Sequence, residues 1–436
     1  MRRVFSAIGV LVVLVIAAAG AFFFLPEGEP AAAASPKQPT GTALIERGRY
    51  LAQAADCVAC HTAPGGQAYA GGLAFKLPFG TIYAPNITPD KDTGIGTWTD
   101  ADFVRALHSG VGKGGEMLYP AFPYASYALM STDDALAIKA YLFSLKPVKA
   151  KAPANTISFP YNQRYLMRAW RRLFVPDHRF RMRDGQPADV NTGAYLVEAL
   201  GHCGECHTPR NMLYGLDNGQ KFAGAVTQGW KAYNITSDKQ AGIGAWSDDD
   251  LASYLAKGYA ANHGAAAGNM GEAVDDSLSH LSKPDIRAII AYLRTVRAKS
   301  AEADERVNPD PSAIKTSTAY APPASEVKAS PLGLTMFQSA CASCHGWNGE
   351  GLEHPQAALL GSRTVNDPHG TNLLQVVLYG ANRGVPGEGA AFMPAFGQAY
   401  SDVEIAAVSN YVLAHFGGKK SSITPADVAA ARKAAP

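Results

Sequence analysis

Six cysteines carry the clearest chemical signal in this sequence. They form three pairs, and a histidine directly follows each pair: Cys57, Cys60 and His61; Cys203, Cys206 and His207; Cys341, Cys344 and His345. Two thiols one helical turn apart can add to the two vinyl groups of one haem, and the adjacent histidine can then bind the iron. Since these C-x-x-C-H motifs use every cysteine, we expect three covalently bound haem c groups and no separate iron–sulfur cluster.

A single motif of this kind would have other interpretations. It could form half of a zinc site or a redox-active dithiol. Three copies, each following a predicted helix, are much harder to explain in either way. The sequence therefore favours haem attachment at all three motifs.

The sixth ligand of each haem iron is expected to be a methionine. Met270 lies 63 residues after His207, and Met393 lies 48 residues after His345. Met212 is too near its motif to reach the opposite haem face, and Met336 is expected in the core. Methionine ligation raises the potential and blocks small-ligand chemistry at the iron.

The first motif offers two methionines, Met117 and Met130. Met130 directly precedes Ser131, the predicted N-cap of a helix, where a hydrophobic staple explains it. The loop length and the flanking glycines favour Met117. Met130, a histidine or an open site stay as alternatives.

Other histidines and two tryptophans have weaker signals. We expect surface or loop positions for His108, His202, His263, His280, His354, His369 and His415. Trp98 and Trp246 occupy matching positions, and core packing is favoured for them over contact with a haem propionate.

An internal repeat places the first two motifs in related domains. Asn86-Ile87-Thr88 recurs as Asn234-Ile235-Thr236, and Gly94–Trp98 recurs as Gly242–Trp246, both at an offset of 148 residues. The domain around the third motif shares only the order of its parts with the other two: a helix, the C-x-x-C-H motif, a loop, a methionine and a final helix. Ser131, Ser282 and Ser401 are predicted N-caps of the three final helices.

The predicted fold is mainly α, with three consecutive cytochrome-c-like domains after an N-terminal transmembrane helix. The predicted segments are an anchor (1–25), a tether (26–41), domain 1 (42–150), a basic linker (151–187), domain 2 (188–298), a second linker (299–330), domain 3 (331–418) and a loosely held tail (419–436).

The N-terminal run from Val4 to Leu25 is uncharged and 22 residues long, which is enough to span a bilayer as a helix. Arg2 and Arg3 would stay cytoplasmic, so the rest would face the periplasm. An uncleaved anchor is favoured over a cleaved signal peptide, although Ala19–Ala21 and Ala31–Ala34 offer small residues for cleavage.

Charge excludes one partner class and marks one segment. The formal net charge is only +2, which gives no support for nucleic-acid binding. Residues 155–184 nevertheless carry seven arginines interleaved with aromatic residues. We favour a clamp between domains 1 and 2 over a docking surface for an acidic partner or anionic lipid.

The chain resembles the triple-haem cytochrome c subunits of bacterial membrane-bound dehydrogenases. The residues that carry this resemblance are Arg47–Leu51, Leu118–Tyr124, Gly193–Val197, Gly201–Arg210 and Met393–Gly397. It implies transfer of electrons from a catalytic subunit to ubiquinone, at the periplasmic face of the inner membrane. The chain would then not be an enzyme by itself.

The resemblance also bears on the catalytic partner. Phe122 and the N-terminal helix look more like the branch that serves a molybdenum-containing aldehyde dehydrogenase with a 2Fe-2S subunit. A quinoprotein alcohol dehydrogenase or a flavoprotein acting on sugars or sugar acids is the alternative. A self-contained haem peroxidase and a soluble electron shuttle are less favoured, given three methionine candidates and the apolar N-terminus.

Haem content tests the motif interpretation directly. Because thioether bonds survive denaturation, the denatured chain should retain three haems in a pyridine haemochrome assay. Replacing His207 by alanine should impair the second haem alone. Two or fewer haems per fully matured chain would contradict the prediction.

Overall fold

The computed structural model describes residues 39–299, 306–309, 330–351, 354–385 and 389–433, with ten helical positions between Phe5 and Phe22. Within this part of the chain, no helix is long and apolar enough to cross a membrane. The predicted anchor lies mostly outside the described residues, as do most of the tether and of the second linker.

The chain divides into two compact units. The first comprises residues 1–182 with 198–202 and 211–215, and the second comprises 183–197, 203–210 and 216–436. The first unit holds the first motif, and the second unit holds the cysteines of the other two. The domain boundaries proposed from the sequence stay predictions.

Most regular structure in the first unit is helical, as predicted. Its elements are α1 (Thr42–Ala54), α2 (Cys57–Cys60), β1 (Ala74–Leu77), β2 (Gly80–Tyr83), α3 (Asp100–Ser109), α4 (Tyr124–Tyr127), α5 (Thr132–Ser144) and α6 (Leu166–Phe174).

The second unit contains two sets of helices. Around the second motif lie α7 (Ala188–Tyr195), α8 (Gly204–His207), β3 (Ala225–Thr227), β4 (Trp230–Ala232), α9 (Asp248–Lys257), β5 (Tyr259–Ala260), β6 (Gly264–Ala265), α10 (Gly268–Glu272) and α11 (Lys283–Thr295). Around the third lie α12 (Pro331–Ala340), α13 (Ala342–His345), α14 (Arg363–Asn366), α15 (Thr371–Tyr379), β7 (Ala381–Val385), β8 (Gly389–Met393), α16 (Asp402–His415) and α17 (Pro425–Lys433).

Strand pairing in the described residues consists of two-stranded antiparallel ladders. In the first two domains the ladders match, with Ala74 opposite Tyr83 and Ala225 opposite Ala232. The third domain has a ladder in which Ala381 pairs with Met393. The matching ladders agree with the duplication inferred from the sequence.

A glycine lies at the crossing of the first and last helices of each domain. In the α1–α5 crossing, a Cβ added to Gly48 would lie 1.9 Å from the Ala137 carbonyl oxygen. In the α7–α11 crossing, a Cβ on Gly193 would lie 1.8 Å from the Ala288 carbonyl oxygen. In the α12–α16 crossing, a Cβ on Gly333 would lie 2.4 Å from the Ala407 carbonyl oxygen. Since real Cβ atoms do not approach so closely, only glycine permits these crossings. The crossings fix the helices that flank each motif.

The predicted N-caps of the final helices are confirmed. The side chains of Ser131, Ser282 and Ser401 accept hydrogen bonds from the backbone N–H three residues later, at 3.1, 3.2 and 3.4 Å. Each hydroxyl satisfies a donor that the first helical turn leaves unpaired.

The repeated Asn-Ile-Thr sequence has a structural reason. Asn86 Oδ1 accepts a hydrogen bond from the Thr88 N–H at 2.9 Å, and Asn234 Oδ1 accepts one from the Thr236 N–H at 2.8 Å. The amide groups of the same asparagines donate to Val148 and Lys299, in the segments that follow the final helices, at 2.7 and 2.9 Å. The motif therefore ties the end of each duplicated domain to its loop.

The prediction of a loosely held tail is wrong. Within residues 419–433, α17 packs on domain 3, where Val428 is fully buried. Arg432 Nε donates to Asp402 Oδ1 at 2.6 Å, and Tyr379 Oη donates to the Arg432 carbonyl at 3.0 Å. The prediction failed because it used the overall Lys/Ala-rich composition, whereas this helix buries a single apolar face.

Replacing Gly193 by alanine should lower the free energy of unfolding of the second unit by about 1–3 kcal/mol, because the new methyl group would overlap the Ala288 carbonyl. Urea denaturation followed by circular dichroism measures the change. Gly204→Ala is the matched control. Its nearest contact would be 3.5 Å away, and Ala342 occupies the corresponding position of the third motif. Equal stability of the two variants would contradict the crossing argument.

Candidate functional site

Each C-x-x-C-H motif is a single helical turn. The backbone N–H of His61, His207 and His345 donates to the carbonyl of the first cysteine of its own motif, at 3.1, 3.0 and 3.0 Å. These i→i+4 bonds place the two thiols on the same turn and set the histidine beside them. The predicted geometry for attachment to one haem is thus present locally at all three motifs.

Each motif histidine is also held from its other side. Nδ1 of His61 lies 2.7 Å from the Pro85 carbonyl oxygen, Nδ1 of His207 lies 2.6 Å from that of Tyr233, and Nδ1 of His345 lies 2.6 Å from that of Ala357. A carbonyl oxygen can only accept, so Nδ1 carries the proton and Nε2 keeps the lone pair. A metal-binding histidine is oriented by this kind of second contact.

Burial favours the neutral form of these rings. It lowers the pKa of His61 and His345, and it lowers the pKa of His207 to about 4, against the opposing hydrogen bond to Tyr233. A neutral imidazole is the form that binds iron, because the protonated ring has no lone pair. The rings are therefore ready to bind a metal at neutral pH.

Burial keeps the thiols of Cys57 and Cys341 in the neutral form. Burial raises the pKa of Cys57 to about 12, with Asp56 adding to the effect, and it raises the pKa of Cys341 to about 11. Zinc ligands and reactive dithiols need the thiolate form, whereas a thioether is uncharged. In the described residues no three His, Cys, Asp or Glu side chains lie close enough together to hold a metal ion. A neutral thiol at Cys57 and at Cys341, each on one helical turn with an oriented imidazole, fits attachment of a haem.

The structure places the methionines of the second and third motifs on different elements. Met270 lies within α10 and is partly buried. Met393 ends β8 and packs against the core of domain 3. Their roles as iron ligands stay predictions. The expectation for Met336 is confirmed, since it belongs to the core, and Met212 is 99% exposed.

Comparison with known proteins identifies the family. The cytochrome c family model matches residues 45–146 and 331–415. The fructose dehydrogenase cytochrome subunit of Gluconobacter japonicus is 39% identical over 90% of this chain and 84% of its own length. The gluconate 2-dehydrogenase cytochrome c subunit of Pantoea cypripedii is 39% identical over 90% of both chains. The cytochrome c subunit of the alcohol dehydrogenase (quinone) of Gluconobacter oxydans is 37% identical over 87% of this chain and 80% of its own length.

The chain belongs to the family of dehydrogenase cytochrome c subunits. It is an electron-transfer subunit and not the catalytic enzyme. The resemblance inferred from the motifs is confirmed, and covalently bound haem c is its cofactor.

In the first domain of this cytochrome subunit, the structure brings an unexpected residue to Met117. Met117 is buried, and Arg164 Nη1 donates to its carbonyl oxygen at 2.6 Å. The same guanidinium lies 4.8 Å from the centre of the Tyr119 ring. The basic segment therefore fixes the Met117 loop, a role that sequence spacing could not reveal.

Met130 and His108 also lie in the interior of the first domain. Met130 is fully buried before Ser131, as a staple residue should be. For His108 the surface prediction is wrong, because α3 turns the ring inward and burial, with Arg179, lowers its pKa to about 3. Neither ring nitrogen makes a hydrogen bond of normal geometry in the described structure, although the Met130 carbonyl lies beside the ring.

The basic segment makes ordered contacts within the first unit, and its role as a clamp between domains 1 and 2 stays a prediction. Trp170 Nε1 donates to the Leu213 carbonyl at 2.9 Å, in the loop that follows the second motif. Arg179 Nη1 donates to the Ala128 carbonyl at 2.6 Å, and the Phe180 N–H donates to Leu129 at 2.8 Å. The segment thus packs on domain 1 and on residues 211–215 within the first unit.

Replacing Met117 by leucine should remove about one third of the weak thioether–iron absorption band near the red end of the oxidised spectrum, because one of three haems would lose its sulfur ligand. Met130→Leu should leave the band at full strength, and Met336→Leu serves as a core control. Loss of a third of the band in Met130→Leu, or no loss in either variant, would reject Met117 as the ligand.

Proposed function

We propose that this cytochrome subunit carries three haem c groups and passes electrons from a catalytic dehydrogenase subunit to ubiquinone. The observation that supports three haems is the repetition of one geometry, in which every motif histidine donates Nδ1–H to a backbone carbonyl. The acceptor is supported by the relative that is named as an alcohol dehydrogenase (quinone).

The residues of the chain prepare the sites for electron transfer and not for bond chemistry. When bound, each haem supplies a one-electron iron couple. The motif cysteines would hold the ring covalently, and His61, His207 and His345 would offer Nε2 to the iron. Met117, Met270 and Met393 would complete the coordination, so the irons would exchange electrons without binding small substrates. This arrangement disfavours a peroxidase.

For the catalytic partner, we propose a molybdenum-containing aldehyde dehydrogenase with a 2Fe-2S subunit. The supporting residue is Phe122 in its Leu118–Tyr124 motif, where its ring packs 5.6 Å from that of Tyr127 and 6.3 Å from that of Tyr124. A flavoprotein sugar or sugar-acid dehydrogenase is the second candidate, because two relatives at 39% identity are named for fructose and gluconate. A quinoprotein alcohol dehydrogenase is the third.

For the location, we propose the periplasmic face of the bacterial inner membrane, with residues 4–25 as an uncleaved anchor. The ten described positions of this run are all helical, and most are exposed apolar residues. Arg172 Nη1 donates to the Ala21 carbonyl at 3.1 Å, and its guanidinium lies 5.3 Å from the Phe22 ring centre. An arginine at the end of an apolar helix suits a membrane–water interface.

Purification of the complex from detergent-solubilised membranes should yield the cytochrome subunit with a large molybdenum-containing subunit and an iron–sulfur subunit. Metal analysis and cofactor extraction make the measurement, and ubiquinone reduction by the complex tests the acceptor. Flavin without molybdenum would support the sugar-dehydrogenase candidate, and pyrroloquinoline quinone would support the alcohol-dehydrogenase candidate. An N-terminal sequence that starts within residues 20–35 would contradict the anchor.

A further inference from the structure

A buried arginine of domain 3 reaches into domain 2, within the second unit. Arg363, the first residue of α14, is 7% exposed. Its Nη2 donates to the Asn234 carbonyl at 3.3 Å and also to the Ala241 carbonyl. Its guanidinium lies 4.7 Å from the centre of the Tyr233 ring. The side chain is therefore set among residues that follow the second motif, not the third.

The loop before Arg363 is shaped to hold it there. Gly361 has a φ of +75°, and a Cβ at this position would lie 2.6 Å from the Asn262 carbonyl oxygen. The Arg363 N–H donates to the His263 carbonyl at 3.3 Å. Close contacts of this kind on a left-handed glycine indicate a fixed interface and not a surface side chain that happens to lean inward.

Two buried N–H groups at this place have no protein acceptor. In the described residues Arg363 Nε and Trp246 Nε1 are buried without a hydrogen-bond partner. The His263 ring stacks on Trp246 with 3.7 Å between centres, and the Arg363 guanidinium lies 5.8 Å from the Trp246 ring centre. Buried donors are normally satisfied, so a group that accepts hydrogen bonds is expected beside them.

The charge at this place is also unbalanced. Asp367 is fully buried and lies 3.4 Å from Lys231 Nζ, while no described carboxylate lies within salt-bridge distance of Arg363. Burial lowers the pKa of Arg363 to about 10, so the guanidinium is still charged at pH 7. Asp367 acts on Arg363 only from beyond salt-bridge distance. A buried charge without a paired counter-ion is costly, which points to an anionic ligand beside Arg363.

The neighbouring motif identifies the anion. The Tyr233 carbonyl accepts Nδ1–H of His207 at 2.6 Å, and Arg363 donates to the very next carbonyl, that of Asn234. A haem attached at Cys203 and Cys206 would bring two propionate carboxylates, which accept hydrogen bonds and carry negative charge. Trp98, the counterpart of Trp246 in domain 1, is only half-buried. The full burial of Trp246 is therefore not a feature that the two duplicated domains share.

We propose that Arg363, together with Trp246 Nε1, binds the propionates of the haem attached at Cys203 and Cys206. Domain 3 thereby supplies a fixed positive charge that raises the reduction potential of the second haem. This inference rests on the proposed function, namely that the second motif carries a haem. Ferric haem has one more positive charge than ferrous haem, so a nearby cation disfavours the oxidised state.

The test is a spectroelectrochemical titration of the full-length, haem-loaded chain in detergent. Arg363→Gln should lower the ratio of reduced to oxidised second haem about tenfold at a fixed potential, which for one electron corresponds to about 59 mV. The component of the second haem is identified as the one that His207→Ala removes or Met270→His shifts. The propionate-bending band in resonance Raman spectra should change as well.

Two further variants separate charge from structure. Arg363→Lys keeps the positive charge. The reduction potential of the second haem should therefore stay close to that of the unsubstituted chain, even if the packing between domains 2 and 3 weakens. Arg294→Gln is the matched control: Arg294 also donates to two carbonyls, those of Ile243 and Trp246, at 2.8 and 2.5 Å, but its charge is paired with Asp248 at 2.8 Å. The Arg294→Gln substitution should leave the reduction potentials of all three haems unchanged.

The outcomes are distinguishable from a failure of the proposed function. Fewer than three haems in the pyridine haemochrome assay would refute the three-haem proposal. Three haems with an unchanged second potential in Arg363→Gln would overturn this inference alone, and so would a shift confined to the third haem. A shift of the second haem that Arg363→Lys largely reverses supports it.

Discussion

The hydrogen bond from the motif histidine to a backbone carbonyl is the constraint on which the rest of the structure depends. It fixes the tautomer and the orientation of each ring, so Nε2 is the nitrogen that keeps a lone pair for a metal. The accepting carbonyls belong to Pro85, Tyr233 and Ala357, each in a loop well after its motif. Every loop must therefore place its carbonyl oxygen within hydrogen-bond distance of Nδ1 of the motif histidine.

The remaining elements position the loops that carry these carbonyl groups. In domains 1 and 2, the loop is closed by a short antiparallel ladder and by the buried asparagine of the Asn-Ile-Thr sequence. The helices on either side of each motif are fixed where Gly48, Gly193 or Gly333 lets two backbones touch. Because these domains contain long loops between short helices and strands, a few close backbone contacts hold the loops in place.

The second unit shows that consecutive domains of this kind need not be independent modules. Lys231 and Asn372 exchange backbone–amide hydrogen bonds at 2.8 and 2.9 Å, and Arg363 is buried among domain 2 residues. An interface with reciprocal bonds and a buried charge is stabilised only in one geometry. The segments that follow the second and third motifs are therefore held together within the second unit.

The sequence by itself determined the chemistry. Cysteine and histidine spacing identified the attachment motifs, serine N-caps located the final helices, and shared offsets revealed the duplication, because all of these signals are local in the chain. Only the tertiary structure decided which carbonyl orients each histidine, that His108 is buried, that α17 packs on domain 3, and that Arg363 belongs beside the second motif. Those contacts join residues far apart in sequence, and composition or spacing carries no information about them. Burial is a property of the assembled fold, so the partners of a charged side chain become known only when that fold is seen.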